Sequence, residues 1–276
     1  MIGVQGTRTP SGSHPLPTRP GAPDGYTRFL TTRGADVVAL APLARDVREA
    51  MTYGTLHAYG ERQFAERVAG ARRLQGRGPV YAVTLPDRRT RVVIRHARHG
   101  GLLAPLTGDR FLAPTRAPRE LAAARRLRDA GVPTPEVIAY ALYPAGPFLF
   151  RSDVATREVP GRDLGESLRE AADGATRDAM LEATATLLRA MARAGARHPD
   201  LNVKNVLLAR TPDGTYEAHV LDVDRVHLRR AGDARAAAAN LARLTHSARK
   251  WGEQEGVRIS DEELERLADH ASGRSV

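Results

Sequence analysis

The sequence predicts an α+β protein of two lobes, the first β-rich with one key helix and the second mainly helical. Three observations carry that expectation. Short apolar runs separated by turn residues fill the region from about 80 to 96 and return at 147 to 159. After Pro160-Gly161, which punctuates the chain like a hinge, apolar residues recur at helical spacing. At 276 residues with 42% apolar and 27% charged side chains, the chain can bury a sizeable core.

Taken in order, residues 1–25 are rich in Pro, Gly, Ser and Thr and read as a disordered tail. The first lobe is expected over 26–158 and the second over 159–276. Residues 44–69 read as loosely helical, weakened by Gly54 and Gly60. Val80 to Leu85 and Arg91 to His96 read as paired strands around the turn Pro86-Asp87-Arg88-Arg89. Pro118 suits the first turn of a helix that runs through Glu120 to Leu127 and stops near Gly131. The stretch 147–159 reads as two short strands around a polar break.

In the second lobe Asp163 suits the cap of a short helix to about Ala172. A longer helix spans about 176–194, with Met180, Leu181, Leu187, Leu188 and Met191 on one face and Gly195 ending it. Val206 to Leu208 and His219 to Leu221 form strands around the turn Thr211-Pro212-Asp213-Gly214, and helices at about 233–250 and 260–271 finish the chain.

Composition excludes several classes. No run reaches the roughly 18 apolar residues of a membrane-spanning helix, and the N-terminal residues lack the apolar core of a secretory signal. The chain has no cysteine, which rules out disulfides and thiolate metal sites and fits a reducing cytoplasm. The net charge is +10, yet Lys204 and Lys250 are the only lysines. Such a surface attracts polyanions, or it reflects a bias towards Arg and Ala. No zinc-finger or aromatic-rich basic motif accompanies it, so nucleic acid is not an expected partner.

The chemistry concentrates in HPDLNVKNVLLA, residues 198–209. The order is His198-x-Asp200-x-x-x-x-Asn205, an apolar strand, a turn, a second apolar strand, then Asp222. A hairpin of those strands brings Asn205 and Asp222 to one end, where two oxygen ligands suit Mg²⁺. Asp200 is left to face an acceptor hydroxyl and take its proton, the division of labour that phosphoryl transfer uses. Each residue alone could instead cap a turn or end a strand; the ordered set points to catalysis.

That set resembles the catalytic loop and metal-binding aspartate of the protein-kinase-like fold. More narrowly, HPDLNVKNVLL and LDVDR are similar to motifs of the lipopolysaccharide kinases that phosphorylate 3-deoxy-D-manno-octulosonic acid (Kdo). The segments RHARHGGLL, ELAAARRLRDAGVPTPEVIA and TREVPGRDL extend the likeness over roughly 74–250. The resemblance implies a two-lobed kinase-like fold with Asp200 as catalytic base and Asn205 and Asp222 as Mg²⁺ ligands. Gly76-Arg77-Gly78 would be a shortened glycine-rich turn over the ATP phosphates. Because no lysine precedes Lys204, Arg95 at the end of its strand takes the phosphates, and Glu120 on the next helix pairs with it. Lys204 could touch the γ-phosphate or simply be exposed. His198 reads as a structural hydrogen-bonding group ahead of a proton carrier, and Asp224 as supporting the loop through Arg225 or binding a second metal. Val223, where the family prefers Phe, reads as a packing change; Ala97 and the missing second arginine of Arg98-His99-Gly100-Gly101 bear on acceptor recognition.

The implied activity is ATP- and Mg²⁺-dependent phosphorylation of Kdo, at its 4-hydroxyl, on a lipid A precursor or lipopolysaccharide inner core. The implied location is the cytoplasmic face of the inner membrane, with arginines such as Arg72-Arg73 or Arg229-Arg230 drawn to anionic headgroups. The alternatives are the same fold acting on heptose, another small molecule or protein, or a non-catalytic binding protein.

Overall fold

The structure, a computed structural model, describes residues 21–32, 34–53, 71–74, 80–98, 108–113, 115–257 and 259–273. The expected tail up to residue 20 and Gly76-Arg77-Gly78 lie outside them, as does the continuation of the expected 44–69 helix beyond Tyr53.

The first lobe contains strands β1 (Tyr26–Leu30) and β2 (Asp36–Leu40), helix α1 (Ala44–Tyr53), and strands β3 (Arg72–Leu74), β4 (Val80–Thr84), β5 (Arg91–His96) and β6 (Phe111–Leu112). Helix α2 (Arg116–Asp129) and strands β7 (Val137–Pro144) and β8 (Leu149–Arg157) complete it. The strands form one antiparallel sheet in the order β1-β2-β7-β8-β5-β4-β3, with β6 pairing onto β8. Side chains of β5 alternate: Val92, Ile94 and His96 are buried, while Val93 and Arg95 are half-exposed on the other face. Val92 and Ile94 belong to a core with Val47 and Ala50 of α1. Leu121, Ala124 and Leu127 of α2 pack in a second core with Val38, Tyr140 and Val154. Arg95 and Glu120 therefore meet between sheet and helix.

Two expectations need correction. The stretch 147–159 holds one continuous strand, Leu149–Arg157, and no pair of strands around a break. Its polar residue Asp153 is buried because its carboxylate pairs with the His96 ring at 2.5 Å and accepts from the Tyr143 hydroxyl at 3.1 Å. A buried acid with partners does not interrupt a strand. Strands β1, β2 and β7 have no counterpart in the sequence-based assignment.

The second lobe contains β9 (Gly161–Asp163), α3 (Leu164–Glu170), α4 (Gly174–Arg193), β10 (Ala196–Arg197), β11 (Val206–Arg210), β12 (Tyr216–Val220), β13 (His227–Leu228), α5 (Ala234–Glu255) and α6 (Asp261–Ser272). Asp163, Asp173, Asp233 and Ser260 cap the four helices by accepting backbone N–H bonds. The predicted stripe on α4, from Met180 to Met191, is buried in the core. Pro133 and Thr134 tie the lobes together: Val220 N–H donates to Pro133 C=O, and Thr134 Oγ1 donates to Val220 C=O at 2.8 Å.

Candidate active site

Helix α5 is the mount for the segment that begins at His198. Asn240, Arg243 and Ser247 stand at i, i+3 and i+7, so they share one face. Buried Asn240 accepts from His198 N–H at 2.9 Å and donates to Ala196 C=O at 2.7 Å. Arg243 Nη2 donates to Asp200 Oδ1 at 2.9 Å, and Ser247 Oγ accepts from Val203 N–H at 3.2 Å. The backbone before and after Asp200 and its carboxylate are thus fixed from one helix. Asp200 remains one-third exposed, open to a ligand.

His198 joins this loop to the residue before Asp222. Its Nδ1 accepts from Asp200 N–H, so Nε2 carries the hydrogen and donates to Leu221 C=O at 3.0 Å. Burial holds the His198 pKa below the usual histidine value, although Leu221 C=O and the carboxylates of Asp222, Asp200 and Asp224 all push it up. A neutral histidine with both nitrogens occupied holds structure and does not shuttle protons.

Strands β11 and β12 pair Val206 with Val220, and Leu221 N–H donates to Asn205 C=O at 2.9 Å. Asn205 and Asp222 consequently sit at the same end of the hairpin. Asn205 Nδ2 donates to Asp200 C=O at 2.9 Å, which leaves its Oδ1 as the acceptor. Asp222 has φ 56 and ψ 47, the left-handed region, which few non-glycine residues adopt. Backbone strain of this kind collects at functional sites.

Across the cleft Arg95 forms an ion pair with Glu120 and approaches Asp222 Oδ1 at 3.7 Å. Glu120 foremost, then Asp222 and Asp224, raise the arginine's pKa against the effect of burial. Glu120 and Asp224 are both pushed above the usual carboxylate range, chiefly by burial and also by their acidic neighbours. Buried Asp224 Oδ1 has no hydrogen-bond partner, and its other oxygen lies 3.7 Å from Arg116 Nε. Arg225 also acts on Asp224 electrostatically, and Arg116, which opens α2, joins it there. Lys204 is exposed on a short 3₁₀ turn, Val203–Asn205.

These contacts link Asp200, Asn205, Asp222, Arg95 and Glu120 as one set of neighbours. The family model described as "Lipopolysaccharide kinase (Kdo/WaaP) family" matches residues 64–267. The chain belongs to this family. A 3-deoxy-D-manno-octulosonic acid kinase of Vibrio cholerae is 31% identical over 190 residues, covering 67% of this chain and 76% of that one. Kinases of the same name from Stenotrophomonas maltophilia and Xanthomonas oryzae are 31% and 33% identical, each covering 70% of this chain and 74% of theirs. A solved structure, WaaP in complex with acyl carrier protein, superposes with a TM-score of 0.49 at 23% identity, over 77% of this chain and 82% of that one.

This lipopolysaccharide kinase is a sugar kinase with the two-lobed, kinase-like fold expected from its sequence. Its donor set fits a divalent ion. Glu120, Asp222 and Asp224 crowd around Arg95, leaving negative charge in excess, and Asp224 carries an orphaned buried oxygen. Among the described residues no three His, Asp or Glu side chains could hold a metal unaided. Mg²⁺ usually takes one or two carboxylates and completes its shell with water and substrate phosphates. Asn240, Arg243 and Ser247 escaped the sequence reading; the available signal was their shared spacing on the polar stripe of an Ala- and Leu-rich helix.

Proposed function

We propose that this kinase transfers the γ-phosphoryl group of ATP, with Mg²⁺, to the 4-hydroxyl of Kdo on a lipid A precursor or lipopolysaccharide inner core. The observation that carries the reading is the convergence of Asp200, Asn205 and Asp222 with the Arg95–Glu120 pair. The relatives named as Kdo kinases support the acceptor.

In this reading Asp200 orients the acceptor hydroxyl and receives its proton as that oxygen bonds to phosphorus and ADP departs. Arg243 holds the carboxylate in that orientation. Asn205 and Asp222 hold Mg²⁺, which when bound neutralises phosphate charge. Arg95, fixed by Glu120, grips phosphate oxygens with a planar fork that stays charged at any working pH. Gly76, Arg77, Gly78 and Lys204 are proposed to complete the nucleotide site.

Contact with an anionic membrane surface belongs to the same reading, and the apolar end of the first lobe supports it. Leu30, Leu112 and Phe148 are 65%, 69% and 81% exposed. All three lie at one end of the sheet. Phe148 is at the β7–β8 tip, Leu112 pairs with Leu149 beside it, and Leu30 borders the β1–β2 turn that reaches Pro144. Phe148 has φ 60, an unusual cost for an aromatic residue and one that holds it outward. Such a tip suits shallow insertion between headgroups. Arg72, one of the arginines first considered for this contact, is engaged by Glu158 at 2.7 Å. Among the described residues no helix is long and apolar enough to cross a membrane.

The test is incubation with labelled ATP and Mg²⁺ against Kdo–lipid A, a heptosylated core and a protein acceptor. Label on Kdo, at the 4-position by mass spectrometry, is the expected result. Label confined to heptose or protein would contradict the acceptor.

A further inference from the structure

A concentration of basic side chains lies between α2 and the chain that follows Asp224. Arg116, Arg119 and Arg126 recur at helical spacing on one face of α2. Arg225, His227 and Arg229 recur at every second residue of the segment alongside. Two different periodicities therefore deliver exposed basic side chains to one place. They line an open groove of about 590 Å³ that continues past Arg126 to Arg229. Between the arginines the helix offers only Ala122 and Ala123, and these small side chains keep the groove open.

Many arginines of this chain elsewhere are neutralised, as in Arg28–Asp36, Arg157–Glu136 and Arg177–Glu263. The groove differs. Asp224 is its one acidic lining residue; it pairs at 3.7 Å with Arg116, and its single charge is shared with Arg95 and Arg225. Among the described residues no carboxylate comes within ion-pair distance of Arg119, Arg126, Arg225 or Arg229. Cations held together with a single carboxylate among them raise the local potential, and a bound dianion relieves it.

We infer that this groove is a subsite for a phosphate monoester carried by the glycolipid acceptor, separate from the hydroxyl that is phosphorylated. The inference rests on the lipopolysaccharide-acceptor reading above. Arginine forks match phosphate oxygens in pairs. The volume suits a phosphorylated sugar and falls in the range of small-molecule clefts. No Phe, Tyr or Trp lines it to stack bases, which disfavours nucleic acid. Its position suits an extended acceptor. Asp224 borders both the groove and the catalytic charge cluster, while Leu112 of the proposed membrane tip precedes Arg116 by four residues. Helix α2 turns Glu120 towards Arg95 and the neighbouring Arg119 towards the groove.

The test uses the full chain and its R119A/R126A variant with two acceptors, Kdo–lipid A and the same glycolipid stripped by phosphatase. The double variant is expected to lose about tenfold or more in kcat/KM, through KM, on the phosphorylated acceptor and nothing on the stripped one; tenfold corresponds to about 1.4 kcal/mol. Equal losses on both acceptors, or no loss on either, would overturn the subsite. A matching loss of binding to anionic vesicles without acceptor would overturn it as well, by making the groove a general headgroup contact. If the native enzyme phosphorylates neither glycolipid, the acceptor reading fails on its own. Calorimetry with glucosamine 1-phosphate and inorganic phosphate then decides. Binding of the sugar phosphate abolished by the double substitution upholds the groove; no binding, or preference for free phosphate, refutes it.

Discussion

Arg243 and Asp200 come from chain segments 43 residues apart and meet through a hydrogen bond of 2.9 Å, with the arginine anchored on the same helix face as Asn240 and Ser247. The pair occupies one oxygen of Asp200 while its side chain stays one-third exposed, a sensible state for a group that must aim a hydroxyl.

Arg243→Ala is expected to lower kcat on the order of 10²-fold, the scale of a misplaced catalytic group, with little change in KM for ATP. Arg243→Lys should recover part of the loss. Steady-state kinetics on both variants checks this. A lower melting temperature with kcat unchanged would make the contact structural only.

Asn240 faces the opposite kind of test, since it touches no reacting atom. Asn240→Ala leaves His198 N–H and Ala196 C=O without a partner in a buried setting. Each orphaned group costs roughly 1–3 kcal/mol, so denaturant unfolding should show a loss of several kcal/mol. Gly195→Ala should act in the same direction. Gly195 has φ +64, and an added Cβ would lie 2.2 Å from Arg230 C=O, forcing the segment that leads into His198 to move.

For the Arg95–Glu120 pair, Glu120→Gln keeps the shape of the side chain and removes its charge. The guanidinium then turns towards Asp222, its other neighbour. The expected outcome is a fall of about 10-fold or more in kcat/KM for ATP, with the melting temperature lowered as well because the arginine loses its nearest counter-charge. Arg95→Lys should weaken ATP binding, since a single ammonium cannot replace the fork. Unchanged ATP kinetics in both variants would remove Arg95 from the nucleotide site.

His96 sets a pH dependence in the first lobe. Burial alone would lower its pKa, but the hydrogen bond to Asp153 and the contact with Asp109, itself held by Arg151, raise it above 6.5. Tyr143 donates to the other oxygen of Asp153. The raised value means that the protonated ring stabilises the fold. That contribution is complete below the unfolded value of 6.5 and is lost as pH rises through the higher folded value. Melting of the native protein and His96→Gln should therefore differ most below about pH 6.5 and converge at alkaline pH. A constant difference across the range would contradict a charged His96.

How far the sequence could be read depended on whether a residue's partners are local. Asn205 and Asp222 were legible as neighbours because one hairpin joins them, and its register can be inferred from two apolar strands and a Pro-Asp-Gly turn. The helix caps at Asp163 and the α4 stripe were legible for the same reason. The clasp on Asp200 was not, since Arg243 looks like any exposed arginine until α5 is laid under the loop. Strand β8 was misread because Ser152 and Asp153 signal a turn locally, whereas His96 and Tyr143, distant in sequence, make Asp153 a buried strand residue. The basic groove was hidden by composition: in a chain so rich in arginine, only the packing of α2 against residues 224–229 distinguishes these from the rest.

The most direct test of the central claim is single-turnover transfer from labelled ATP to Kdo–lipid A by Asp222→Ala, at saturating Mg²⁺ and with folding verified by melting. The account predicts a loss on the order of 10³-fold relative to the native enzyme, the scale of removing a charge-stabilising group at the reaction centre. Transfer at the native rate by the folded variant would contradict it.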